Sequence, residues 1–306
     1  MQSEPLLIAG TGAMACLFGA RLAPHADVTL LGGWPEGLAA LGREGIRLES
    51  DGISQTVRVR VTSAPSDCQG ARLALVLVKS WQTERTAAQL AGCMAEGGVA
   101  LTLQNGLGNL ELLQAALGNG RAALGVTTVG ATLLGPAHVR LGGTGPTYLA
   151  QHPRLEPLAD LLQGAGFEVR LAEDLESLVW GKLAVNAAIN PLTALQGMEN
   201  GGVIDDPSAR AVAIAAAHEV AAVAAARGTR MPYPDAGEEA LSVAGRTAAN
   251  RSSMYQDVLR GAPTEIEAIS GAVVREGERF GVPTPVNWTL WQMVRVLAAR
   301  RKEAGR

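Results

Sequence analysis

At 306 residues, 47% hydrophobic and 18% charged, the chain has the make-up of a globular protein large enough for two ordinary domains. A net charge of −3 and only 4% aromatic residues give neither a basic footprint nor stacking platforms, which argues against nucleic acid as a partner. The three cysteines, Cys16, Cys68 and Cys93, have no metal-ligand spacing and fit the buried thiols of a reducing compartment, so cytoplasmic residence is expected.

The opening MQSEPLLIAG places an acid before a very short apolar run, unlike a signal peptide. No uninterrupted apolar segment reaches the roughly 18–20 residues of a membrane span, so no membrane partner is expected. LLIAG reads as a buried strand and GAMACLFGARLA as a helix. DVTLLGG is a second strand and EGLAALGREG a short helix. IRLES and TVRVRV look like a strand pair about the turn DGIS. RLALVLVKS and GVALTLQNG are further strands, followed by the helical QTERTAAQLAGCM and NLELLQAAL. From about Ala123 to Ala150, Gly, Thr and Val suggest antiparallel additions, and LEPLADLLQGAG and FEVRLA add one helix and one strand. Strands alternating with helices predict an α/β fold with a doubly wound parallel sheet. Beyond Glu173 the pattern is almost wholly helical, with stops at NGGVIDDP, RGTRMPYPDA and GVPTPVN. The expected domains are therefore 1–173, a dinucleotide-binding unit, and 174–306, a helical one. The Ala-rich ARAVAIAAAHEVAAVAAARG reads as a helix packing internally or against a second subunit, which leaves a homodimer open.

AGTGAMA stands between the first strand and the first helix, where a dinucleotide site requires it. Gly10 would make the tight turn and Gly12 would let the backbone approach a pyrophosphate. Thr11, Ala13 and Met14 complete the candidate cofactor-binding turn, and Ala15 takes the helix-packing position. The second strand ends at Gly32, Gly33 and Trp34, with neither the acid usual for NAD nor an arginine for NADP. Glu36, Arg43 and Arg47 come later. Lys79 closes an apolar run and should emerge at the carboxyl edge of the sheet, either to reach solvent or to meet a ligand. Asn105, in LQNG at the same edge, is a turn residue or a cofactor contact, the turn being favoured.

WGKLAVNAAINPLTAL spaces Lys182, Asn186 and Asn190 at intervals of four, one polar stripe on an otherwise apolar helix. Pro191 disfavours ordinary helix geometry there and suggests a kink. A lysine and two amides on such a face fit a recess for something small, polar and anionic. In NRSSMYQDVLRGAPTEIEAISGAVV, Ser252 or Ser253 could cap a helix, and TEIE could open the next.

Together GTGAMA, LVKSWQT, LQNGLGN, the WGKLAVNAAINPLTALQGMENGGVIDDP segment and the SSMYQDVLRGAPTEIEAISGAVVREGERFGVPTPVN segment resemble the ketopantoate reductase (2-dehydropantoate 2-reductase) family. The resemblance covers nearly the full length. It implies a Rossmann-type domain followed by a helical domain, and NADPH-dependent reduction of ketopantoate to (R)-pantoate in pantothenate and coenzyme A biosynthesis. It further implies that Lys182 is the catalytic lysine, that Asn186 and Asn190 contact substrate hydroxyl and carbonyl groups, and that Ser253 binds the substrate carboxylate. Glu265 would orient the lysine or the cofactor ribose, with Lys79 and Asn105 along the cofactor. Many members carry an arginine where this chain has Gly33. NADP is the expected cofactor with NAD left open, and Lys79 or an arginine from a later segment would have to meet the phosphate. Two other readings stand beside this one: a reductase of another branched 2-oxo acid, and a nucleotide-binding sensor without turnover.

Overall fold

The computed structural model describes residues 5–304, so Met1 to Glu4, including the acid of the opening segment, lie outside the described residues. The described chain divides into two compact units. One runs up to Gln104 and resumes over Asn109–Leu175; the other comprises Asn105–Gly108 and the chain from Glu176 onward.

The first unit contains β1 (Pro5–Ala9), α1 (Ala13–Leu22), β2 (Asp27–Leu31), α2 (Pro35–Glu44), β3 (Ile46–Ser50), β4 (Ile53–Val57), β5 (Arg60–Thr62) and β6 (Ala71–Val76). It continues with α3 (Thr83–Cys93), β7 (Met94–Thr102), α4 (Asn109–Leu117), β8 (Ala122–Thr127), β9 (Gly130–Gly135), β10 (His138–Gly143), β11 (Thr147–Leu149), α5 (Glu156–Gly164) and β12 (Val169–Leu171). The main sheet has eight strands in the order β12-β11-β8-β7-β6-β1-β2-β5. β1 lies parallel between β2 and β6, so the chain leaves it first to one side and later to the other. That reversal places a crevice at the carboxyl ends of β1 and β6, where ligands bind in open α/β sheets.

Alternation along β1 explains the two faces. Leu6 and Ile8 join a core with Leu17, Phe18 and Leu22 of α1, whereas Leu7 packs with Leu90 of α3 and Leu113 of α4. A second sheet, β4-β3-β10-β9, covers α1 from its other side, and Ile46, Leu48 and Val139 enter the same core. Two expectations change here. The TVRVRV run divides: its start lies in β4, an antiparallel hairpin with β3, while Arg60–Thr62 pairs parallel with β2. The Ala123–Ala150 region is also mixed, because β8 lies parallel to β7 whereas β11 is antiparallel to β8.

The second unit contains α6 (Leu175–Gln196) from its second residue onward, α7 (Gly202–Asp205), α8 (Pro207–Ala226), α9 (Ala236–Arg246), α10 (Ser253–Leu259), α11 (Ser270–Phe280) and α12 (Pro285–Ala304). Its core joins Trp180, Leu183, Ala184 and Ala187 of α6 to Ala213, Ala216, Ala217, Val220, Val223 and Ala224 of α8. The Asp206 carboxylate caps α8, accepting from the Ser208 and Ala209 amides at 2.8 Å each, with Pro207 in the first turn. Glu219 of α8 accepts from the Val286 and Asn287 amides at 2.8 Å each, satisfying the start of α12. By length and composition α8 is the one described helix apolar enough to cross a membrane, with mean hydropathy 1.4. Arg210, His218 and Glu219 interrupt it, and it packs against α9, α11 and α12 as a core helix does.

Helix α6 continues through Pro191, which lies inside it as a residue that favours a kink. The proline removes one backbone donor, but residues on both sides of it are buried, from Ala187 to Ala194, and that packing holds the helix together.

Candidate active site

In the first unit, Gly10 turns the chain out of β1 with φ of +136°, a conformation that disfavours any side chain. A β-carbon there would also lie 3.1 Å from the Leu77 carbonyl, so the approach of the turn to the end of β6 requires glycine. Ala15 lies beneath, fully buried. Gly12 is the N-cap residue of α1 and supplies no side-chain cap, so the first amides of the helix keep their donor capacity. Nothing lies within 4 Å of a β-carbon placed on Gly12, leaving the backbone open to a ligand. Cys16, whose thiol burial pushes far above the ordinary range, donates to the Thr11 carbonyl at 3.7 Å and steadies the turn from below.

Lys79 follows β6 and caps a short 3-10 turn, Ser80–Gln82, its amide donating to Gln82 Oε1 at 3.3 Å. Buried Thr83 opens α3 and donates to Asn109 Oδ1 at 2.8 Å, while Gln104 Nε2 donates to Thr83 Oγ1 at 2.8 Å and to the Val78 carbonyl at 2.9 Å. This network ties the end of β6 to the starts of α3 and α4 and fixes where α3 begins. Two residues into that helix, Arg85 lays its guanidinium against Gly33: a β-carbon at position 33 would lie 3.0 Å from Arg85 Nη2.

In the second unit, Lys182, Asn186 and Asn190 occupy successive turns of α6. Lys182 as a residue is half-buried, but its ammonium end is deep, and loss of hydration lowers its pKa from 10.5 to about 8. The carboxylate of Glu265, itself 5% exposed, opposes that fall. Directly before the lysine, the Tyr233 hydroxyl donates to the Gly181 carbonyl at 2.7 Å and pins this turn of the helix.

Asn190 is 7% exposed and Asn186 half-buried, yet no group among the described residues hydrogen-bonds either side-chain amide. Neither belongs to the fully buried polar atoms left without a partner, so both amides stay accessible and available to a ligand. The two serines of SSM divide their work. Ser252 is the N-cap of α10, accepting from the Tyr255 amide at 3.1 Å, and its hydroxyl lies 2.7 Å from Thr193 Oγ1. Thr193 in turn reaches the Ile189 carbonyl at 2.9 Å and that of Asn190 at 3.1 Å. This buried chain holds the Asn190 turn of α6 against the start of α10. The hydroxyl of Ser253, the next residue, is half-buried and has no hydrogen-bond partner among the described residues.

Models of known families match both parts of the chain: ketopantoate reductase PanE/ApbA over residues 6–154, and its C-terminal region over residues 174–298. A 2-dehydropantoate 2-reductase of Archaeoglobus fulgidus is 40% identical, the alignment covering 96% of this chain and 98% of that one. The chain belongs to the ketopantoate reductase family. Among solved structures, a family member from Ralstonia eutropha superposes with a TM-score of 0.91 at 31% identity, covering 97% of this chain and 99% of the other. A D-mandelate dehydrogenase determined with NADH and anilino(oxo)acetate shares the fold at 24% identity, with the same TM-score and coverage. Members of this family are nicotinamide-dependent oxidoreductases.

Within this ketopantoate reductase family member, several supporting residues leave little trace in the sequence. Thr193 sits in an apolar run, and Tyr233 and Arg85 lie far along the chain from what they touch. Asn105, expected at the sheet edge, lies in the Asn105–Gly108 segment of the second unit, where the Leu107 amide donates to the Ala268 carbonyl at 2.9 Å. Gly106 has φ of +81°, and a β-carbon there would sit 2.3 Å from the Ala268 oxygen. Gly106→Ala should therefore destabilise the protein by about 1–3 kcal/mol, with a Tm lowered by several degrees. Gly108, at φ of +90° but with open space around it, provides the comparison: its alanine variant should melt closer to wild type in the same thermal scan.

Proposed function

We propose that the protein reduces 2-dehydropantoate to pantoate with NADPH as the hydride donor. The observation that carries this reading is the face of α6, where an amine with pKa near 8 shares one stripe with two amides that lack protein partners. When bound, the dinucleotide supplies a hydride to the 2-oxo carbon. The carbonyl oxygen then gains negative charge, and the Lys182 ammonium stabilises that charge and transfers a proton to the oxygen. A pKa near 8 suits the task, since the amine is mostly protonated at neutral pH yet gives up its proton readily. Asn186 and Asn190 orient the hydroxyl and carbonyl groups of the substrate, and Ser253 donates to its carboxylate. Amides and a hydroxyl do not ionise, so they position the substrate equally well across the working pH range. Glu265 keeps Lys182 charged and is a candidate contact for the cofactor ribose, as Lys79 and Asn105 are for the remainder of the dinucleotide.

The first unit fits such a cofactor. Gly10 to Met14 form the turn beneath a pyrophosphate, with open backbone at Gly12 and unspent amide donors at the start of α1. The end of β2 favours NADPH over NADH because Gly32, Gly33 and Trp34 offer no carboxylate to the ribose hydroxyls and none to repel a phosphate. A cytoplasmic place of work completes the reading, consistent with three free, buried thiols.

The test is steady-state oxidation of NADPH and NADH with ketopantoate beside a panel of branched 2-oxo acids. Ketopantoate with NADPH should give the highest kcat/KM. A higher value for another 2-oxo acid would reassign the substrate, and no turnover with any of them would reduce the protein to a nucleotide-binding sensor.

A further inference from the structure

The end of β2 lacks an arginine in sequence, yet one guanidinium reaches it in space. We infer that Arg85, projecting from α3, is the residue that recognises the 2′-phosphate of NADPH, and that Gly33 is small so that Arg85 can lie there. This deepens the NADPH reading and rests on it.

The ribose next to adenine lies at the carboxyl end of the second strand in a doubly wound dinucleotide fold, and a nearby arginine accommodates its 2′-phosphate. Here that strand end is Gly33, exposed, with the Arg85 Nη2 and Nη1 atoms 3.0 and 3.4 Å from where a β-carbon would be. A β-carbon at 33 would press tightly on Arg85 in its observed position, and the guanidinium would have to give by a few tenths of an ångström. Arg85 is exposed, and among the described residues it makes no hydrogen bond or ion pair, although Glu84 and Glu36 are near it or near Gly33 in sequence. The other arginines of this region are engaged. Arg43 pairs with Glu44, Arg47 Nε donates to Ser54 Oγ at 3.1 Å, Arg58 donates to the Arg43 carbonyl at 2.8 Å, and Arg60 pairs with Asp27 at the opposite end of β2. Arg85 is therefore the guanidinium held ready at the right strand end. Its helix is anchored through buried Thr83 and Asn109 and half-buried Gln104, so the position of its α-carbon is preorganised and only the side chain adjusts. A planar guanidinium can take two phosphate oxygens at once, and it discriminates against a ribose that offers only a hydroxyl.

The experiment measures dinucleotide binding rather than turnover. Kd values for NADPH and NADH are obtained by fluorescence titration for wild type and Arg85→Gln, with thermal melts to verify folding. Competition by 2′-AMP and 5′-AMP is measured against wild type. Loss of one or two charged hydrogen bonds should weaken NADPH binding by about 10- to 100-fold in the variant and NADH binding by less than about threefold. In wild type, 2′-AMP should compete more strongly than 5′-AMP. The double variant Gly33→Arg with Arg85→Ala moves the guanidinium to the strand end and should restore most of the NADPH preference. If Arg85→Gln keeps the wild-type preference for NADPH, the assignment to Arg85 is wrong while the NADPH reading stands. If wild type itself binds NADH as tightly as NADPH, the NADPH reading fails and the role of Arg85 fails with it.

Discussion

Lys182→Ala should lower kcat for ketopantoate reduction by about two to four orders of magnitude, the usual worth of a positioned proton donor. The Kd for the dinucleotide should change by less than about threefold, because the loss falls on a charge that develops only as the carbonyl is reduced. The wild-type pH profile carries the same signature. With the Lys182 amine at about 8, kcat/KM for reduction should be level below that pH and fall above it as the donor loses its proton. Oxidation of pantoate needs the neutral amine and should instead rise through pH 8. Burial also leaves the folded protein binding this proton less well than the unfolded chain, so the contribution of Lys182 to stability increases with pH between about 8 and 10.5. Stopped-flow and steady-state rates from pH 6 to 10 test both directions. Undiminished turnover by the alanine variant would remove Lys182 from the mechanism.

Glu265→Gln should act on the same amine from the other side. The substitution preserves shape but removes the charge that holds the Lys182 pKa up, so the pKa drops below about 8 and the alkaline fall in rate moves to lower pH. At neutral pH the variant should be much slower than wild type, and at pH 6 it should recover part of the difference as the amine regains its proton. Removing one partner from a buried charged pair typically costs about 3–5 kcal/mol, so the variant should also melt earlier. That deficit should be greatest at acid pH, where the ammonium is charged without its counter-ion, and should shrink as the amine becomes neutral. A simple packing defect would lower Tm equally at every pH and leave the position of the rate limb unmoved, and an unmoved limb would sink the assignment.

The legible parts of this protein were those in which one physical signal dominated. LLIAG and LALVLV are continuous apolar runs between turn residues, so they could only be buried strands, and both became central strands of the sheet. The glycine turn was readable because strand and helix flank it. TVRVRV was misread because a strand of alternating pattern looks the same whether it pairs with a hairpin neighbour or crosses to another sheet. Pro191 shows its local cost in the sequence, whereas the burial from Ala187 to Ala194 that keeps the helix continuous around it does not. SSM holds two serines of equal capping ability, and only the fold, in which Ser252 accepts from the Tyr255 amide and meets Thr193, separates the capping residue from the one left available. Arg85 was the least accessible to sequence reading: it stands 52 residues after Gly33, and nothing short of the fold brings them together.

Helix α1 has one more bearing on how the protein can change. Enclosed between the main sheet and β4-β3-β10-β9, it buries seven of its ten residues, from Ala15 to Ala20 and Leu22. Such a helix has hardly any free face on which substitutions are neutral, so drift in the outer sheet is transmitted to the aim of its amino end. Swapping cofactor preference by transplanting the glycine turn alone should therefore fail more often than altering Gly33 and Arg85. The turn comes bound to two sheets, whereas that pair lies exposed at the rim.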